Sequence, residues 1–264
     1  MKKIFILLMT GLFSLSCFCE TLDFSKVVGD FMLFRMKLSQ VENSENKMTE
    51  IEKYENNLFS AENEFDADQK IIMENYIAME KYNALFSDKT KVKGIQKTLR
   101  NQKEKMDAYI AEKADEKMSK WFWCSYADTI SCMMSFSVSD VMKYGLQVKE
   151  YYEKSLAADE NYCYALMNLG QWYYWAPKIA GGGKAKANEL FEKAFTQAKT
   201  PDEIYFCGIV YSQSLFEAKK TEESRTVLLR AKEQWPESKT IGEILSLNEK
   251  GLSIYQAGKI GQVE

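Results

Sequence analysis

Residues 165–174 read ALMNLGQWYY and residues 187–194 read ANELFEKA, and these two stretches decide the fold. Leu166, Leu169, Gly170 and Tyr173 recur at helical spacing in the first, and Ala187, Phe191 and Ala194 do so in the second. Each set is one face of a helix. Gly170 and Ala187 leave room for two backbones to approach, while Leu169, Tyr173 and Phe191 fill the volume around the crossing. The pair therefore reads as two antiparallel helices packed as a hairpin.

Leu166-x2-Leu169-Gly170-x2-Tyr173 followed by Ala187-x3-Phe191 is similar to the tetratricopeptide (TPR) pattern. Upstream, Val148, Tyr152, Ser155 and Leu156, then Asp159, read as the second helix of a preceding repeat. Downstream, Tyr211, Ser212, Leu215, Ser224, Leu228, Ala231 and Pro236 continue the pattern. Further out, no proline and only Gly29 and Gly94 interrupt the chain between Cys19 and Tyr144, so helix should follow helix. Phe24, Val28, Phe31 and Leu38, like Ile72, Tyr76 and Met79, keep the same spacing. The expected fold is all-α. Antiparallel helix hairpins stack as a TPR-like solenoid with a capping helix over residues 121–264, and a helical region over residues 17–120 packs on it. Trp121, Phe122 and Trp123 are expected at the seam between the two.

The strong repeat departs from the pattern in its turn, where WAPKIAGGG separates Tyr174 from Lys184. Gly181, Gly182, Gly183 and Lys184 invite a phosphate-loop reading. No strand is expected before them, and Ala185 stands where a Ser or Thr would hold magnesium, so a flexible turn is the preferred reading. The stretch AP-x3-GGGKAKA (Ala176 to Ala187), in a TPR-like hairpin, resembles the T-component family, TPR lipoproteins or periplasmic proteins associated with tripartite ATP-independent periplasmic (TRAP) transporters. That resemblance spans about residues 140 to 258. It implies a binding or adapter role near a periplasmic solute-binding protein or transporter subunit, with an apolar ligand channel as a further implication.

The N-terminus carries an address. Lys2 and Lys3 precede an apolar run from Ile4 to Leu15, too short to span a bilayer and typical of an export signal over residues 1–16. Ser14-Leu15-Ser16-Cys17 resembles a relaxed bacterial lipobox, which would make Cys17 a lipidated N-terminus and tether the protein in the periplasm. Ordinary cleavage after Ser16 or Cys19 would instead release a soluble periplasmic or secreted protein.

Composition excludes several classes. The 264 residues contain no histidine, which removes His-based triads and His-ligated metals, and the net charge of −3 gives no bulk attraction to nucleic acid. Residues 42–68 hold nine acids against Lys47 and Lys53, whereas Lys89 to Lys105 is basic. The preferred reading is a solvated helix start facing the earlier acidic helix. Cys124, Cys132, Cys163 and Cys207 match no metal or redox spacing and read as buried free thiols. No acid pair stands out by an apolar surround. The sequence assigns no catalytic residue, metal or cofactor, and the protein reads as a non-enzyme.

A stacked array curves, and one face of each first helix lines its concave side. On the strong repeat those residues are Tyr164, Met167, Asn168, Gln171, Tyr174 and Trp175; one repeat later they are Phe206, Ile209, Val210, Gln213, Phe216 and Glu217. The two sets match in character, with aromatics at equivalent places and a glutamine in each. Three occupants compete: a partner peptide or helix bonded by Gln171 and Gln213, a small apolar ligand, or the protein's own helices from residues 24–38 or 239–255. The last would make it a structural envelope protein with a self-filled groove.

Overall fold

The computed structural model describes residues 22–60, 64–86, 88, 91–113 and 117–260. The expected signal segment, Cys17 and Lys89 lie outside them. The described residues form α1 (Phe24–Leu38), α2 (Ser44–Leu58), α3 (Ala67–Leu85), α4 (Val92–Glu112), α5 (Lys120–Met134) and α6 (Val138–Ala158). They continue with α7 (Cys163–Trp175), α8 (Lys184–Gln197), α9 (Pro201–Glu217), α10 (Thr221–Gln234), α11 (Lys239–Glu249) and α12 (Ile254–Ile260). No strand occurs among the described residues, so the protein is all-α.

Local chemistry sets the helix starts. The side chains of Asp23, Asp66, Ser119, Ser137 and Ser238 each accept a backbone N–H of their helix's first turn. Such a cap stabilises by about 1 kcal/mol. At α9, Pro201 occupies the first turn and Glu203 accepts from the Thr200 N–H at 3.2 Å.

Three antiparallel hairpins, α5/α6, α7/α8 and α9/α10, stack in order and make the TPR-like solenoid. At the α7/α8 crossing, a Cβ on Gly170 would lie 2.5 Å from the buried ring of Phe191 and 3.3 Å from the Ala187 carbonyl. At the next crossing, a Cβ on Gly208 would lie 2.8 Å from Ala231 Cβ. The helix that pairs with Val148, Tyr152 and Ser155 is α5, which carries Trp121, Phe122 and Trp123. Trp121 meets Phe24 edge-on at 5.4 Å, Phe122 packs against Tyr109 and Trp123 against Tyr151. These three rings thus join α5 to α1, α4 and α6.

Two expectations need correction. The cations of α4 do not face α2: Lys105 pairs with Glu74 on α3, Arg100 with Asp140 on α6, and Lys103 with Asp107 one turn along its own helix. The acids of α2 find Lys81 and Lys239 instead, through Glu55 and, just ahead of the helix, Glu42. The α7–α8 turn is also tighter than a flexible loop. Pro177 leads a 3-10 turn at Lys178–Ala180, Gly181 adopts φ +89°, and the Gly183 N–H donates to the Tyr173 carbonyl at 2.8 Å. A Cβ on Gly182 would fall 1.8 Å from the Ala176 oxygen. The positive φ of Gly181 and the backbone closeness at Gly182 therefore account for these two glycines without an anion.

Candidate functional site

Packing on the concave side divides the twelve groove positions among three environments. Tyr164 is buried and its hydroxyl donates to Asp202 at 2.6 Å; Met167 is buried beside it, and both belong to the main core. Phe206 lies against Tyr164, with the Arg35 guanidinium of α1 5.4 Å above its ring. Ile209 and Val210 are half-buried against the two core clusters. Helix α1 packs on α3 and α9 and so covers this end of the groove.

The C-terminal segment covers a second part. Gln213 is fully buried, and its side-chain oxygen accepts from the Ile254 N–H at 3.1 Å. Tyr255 stacks on Tyr174 at 4.4 Å and meets Trp175 edge-on. Glu217 accepts from Tyr174, Lys184 and Ser253 at 2.7, 2.8 and 2.6 Å. Against the desolvation of its site, the hydrogen bonds from Lys184, Ser253 and Tyr174 hold its carboxyl down at about 2. Phe216, next to it, is half-buried.

Asn168, Gln171 and Trp175 face something different, a cavity of about 720 Å³ enclosed by α1, α3, α5, α6, α7 and the turn after α7. Its mouth is apolar and open to solvent: Met142 is 83% exposed, Ile179 98% and Trp175 52%, with Val141 and Leu146 beside them. Isolated exposed apolar residues are ordinary, but five around one opening are not. Its floor is polar. Asp128 accepts from the Tyr152 hydroxyl at 2.6 Å and from the Asn168 amide at 2.8 Å. Arg35 lines the same floor, with its Nε 2.7 Å from Glu80. The side-chain oxygen of Gln171 is buried without a hydrogen-bond partner.

Burial pushes the Asp128 carboxyl up to about 6, with Tyr152, Arg35 and Asn168 opposing the rise. Burial alone would lower Arg35, but Glu80 and then Asp128 outweigh it and hold the guanidinium above its usual value. Desolvation raises the thiols of Cys124 and Cys132, so neither is a ready thiolate. All four cysteines of the body are free in the structure. A chemically plain site results: an apolar chamber with a donor-rich, partly charged end and no activated nucleophile.

Sequence reasoning placed three residues of this chamber and missed the rest. Arg35, Asp128, Met142, Leu146 and Ile179 come from elements outside the first helices it considered. One signal was readable: Asp128 is the only charged residue in the apolar run Trp121–Met134, and an isolated acid there invites burial.

Among the described residues no group of His, Cys, Asp and Glu is placed to hold a metal, and no helix is long and apolar enough to cross a membrane. Fold and site together define an all-α, TPR-like helical-repeat protein with a ligand-sized internal chamber. No family model matches the chain, and no curated protein does. A solved structure of a thermophilic TPR protein from Thermus thermophilus superposes with a TM-score of 0.47, at 11% identity, over 81% of this chain and 94% of that one.

Proposed function

We propose that the chain is an exported, lipid-anchored binding component of the bacterial envelope. In this reading Cys17 carries the anchor, the body lies in the periplasm, and the chamber holds a small, largely apolar molecule. The protein works beside a solute-binding protein or transporter subunit of TRAP-type uptake. The observation that carries the binding role is the chamber itself: 720 Å³ lies within the range of small-molecule sites, and it pairs an apolar mouth with a few convergent polar groups. Export is supported by the basic and apolar N-terminal segment, and the uptake role by the resemblance carried by Ala176 to Ala187.

A role without catalysis fits the absence of histidine and the thiols raised by burial. The test is a crosslinked pull-down of the full chain from native membranes, with partners identified by mass spectrometry. A solute-binding protein or transporter subunit recovered with the wild type is the expected result. Repeated recovery without either would contradict the uptake role.

A further inference from the structure

The two ends of the chamber differ in chemistry, and that difference narrows its occupant. At the floor, the Arg35 guanidinium is fixed from two sides, by Glu80 at Nε and by the Phe206 ring beneath it. Among the described residues no hydrogen bond engages its two Nη nitrogens, and the side chain borders the chamber. Glu80 is further tied by the Asn83 amide at 3.2 Å. A planar fork held this way, with its terminal N–H groups free, suits a carboxylate. From the floor outward the walls become apolar through Met79, Met134, Leu146 and Trp172 to the open rim.

We propose that the chamber takes a single-chain amphiphile with a carboxylate head, of the fatty-acid class, its head on Arg35 and its tail toward Trp175 and Ile179. This rests on the binding reading given above and specifies its ligand. A cationic head is disfavoured because it would meet the Arg35 charge, and a neutral head would leave the fork unused. Asp128 stands beside Arg35 and would repel the incoming anion if it stayed ionised. The charged and titratable groups that face it are Arg35 on α1, Tyr76 on α3, Cys124 and Cys132 on α5, and Tyr152 on α6, while Glu80 of α3 stands against Arg35. Since its burial already favours the neutral form, Asp128 takes up one proton from solvent as the anion binds. It then offers an O–H to the head instead of a like charge. Binding is therefore linked to one proton and strengthens as pH falls from 8 to 6.

The experiment is calorimetric titration of the full chain with dodecanoate, dodecanol and dodecyltrimethylammonium. Dodecanoate is expected to bind at least tenfold more tightly than the other two at pH 6.5, and to weaken up to about tenfold per pH unit above 6. Arg35→Gln should remove the preference, bringing dodecanoate down to the level at which the same variant binds dodecanol. Dodecanol or the cation binding as tightly as dodecanoate, or no pH dependence, overturns the assignment. Persistence of the carboxylate preference in Arg35→Gln does so too. The head-group and pH comparisons use the wild type, so they decide the matter even if the variant does not fold. Dodecanol bound with no preference for dodecanoate overturns the carboxylate alone; failure of all three to bind also removes the binding reading.

Discussion

Replacing Gly170 by alanine isolates the contact on which the hairpin reading rests. The new methyl would sit 2.5 and 2.6 Å from two ring carbons of Phe191, and that ring is fully buried and cannot swing into solvent. Overpacking of this kind costs about 1–3 kcal/mol. Alanine in a helix interior returns about 0.8–1.0 kcal/mol relative to glycine. The overlap is severe, so the cost lies in the upper half of its range and the net loss is about 1–2 kcal/mol. Gly29 supplies the control: it lies within α1, nothing stands within 4 Å of its would-be Cβ, and Gly29→Ala should gain about 0.5–1 kcal/mol. Urea unfolding followed by circular dichroism reads both, provided the slope with denaturant is unchanged. A Phe191→Leu partner change should cost less in the Gly170→Ala background than alone, because it vacates the contested space. Stabilisation of Gly170→Ala equal to that of Gly29→Ala would refute the close crossing.

Three further outcomes follow from the site. Asp128 has a folded-state pKa of about 6 against 3.8 ordinarily, so the folded form binds the proton more tightly. Its contribution to stability is therefore fully present below pH 4 and is lost as pH rises through 6, by about 3 kcal/mol; Asp128→Asn should flatten that slope in urea titrations at pH 4.5, 6 and 7.5, and an unchanged slope would count against it. Glu217 is the opposite case: its depressed pKa gives stability that is present above 4.5 and lost as pH falls toward 2. Glu217→Gln should raise hydrogen exchange at residues 253–257 at pH 7, and unchanged protection would show that this carboxylate does not hold the segment down. At the rim, Ile179→Asp should leave the melting temperature within a degree or so, since the side chain is 98% exposed. It should weaken binding of an apolar probe about tenfold, for the loss of ~1.5 kcal/mol of apolar contact, and undiminished binding would place the probe elsewhere.

The solenoid was legible because its signals are local. Gly170, Ala187 and Phe191 report a helix crossing within one stretch of chain, and the unbroken run before Tyr144 reports helix without further context. The chamber was only partly legible, because it is made by helices far apart in sequence. Asn168, Gln171 and Trp175 could be placed on one face of α7. Nothing local says that Arg35 of α1 and Asp128 of α5 line one cavity beneath them. Helical periodicity identified Tyr164, Tyr174 and Gln213 as concave, but it could not say what lies on them. Helix α1 covers the first, and the segment at Ser253–Tyr255 covers the other two. The α4 cations show the same limit: charge alternation along the chain suggested α2 as their partner, and packing chose α3 and α6.

The chamber is tested most directly by filling it. Gly145 borders it, and a Cβ there meets no atom within 4 Å, so a tryptophan side chain at Gly145 starts into open space at the chamber wall. The Trp172 indole still has the Gly145 carbonyl as its acceptor, since only the side chain changes. The measurement is saturation binding of N-phenyl-1-naphthylamine to the wild type and to Gly145→Trp, with melting temperatures compared alongside. The account predicts saturable binding by the wild type and loss of at least tenfold in a variant that melts no lower. Failure of the wild type to bind, or equal binding by the filled variant, would contradict it.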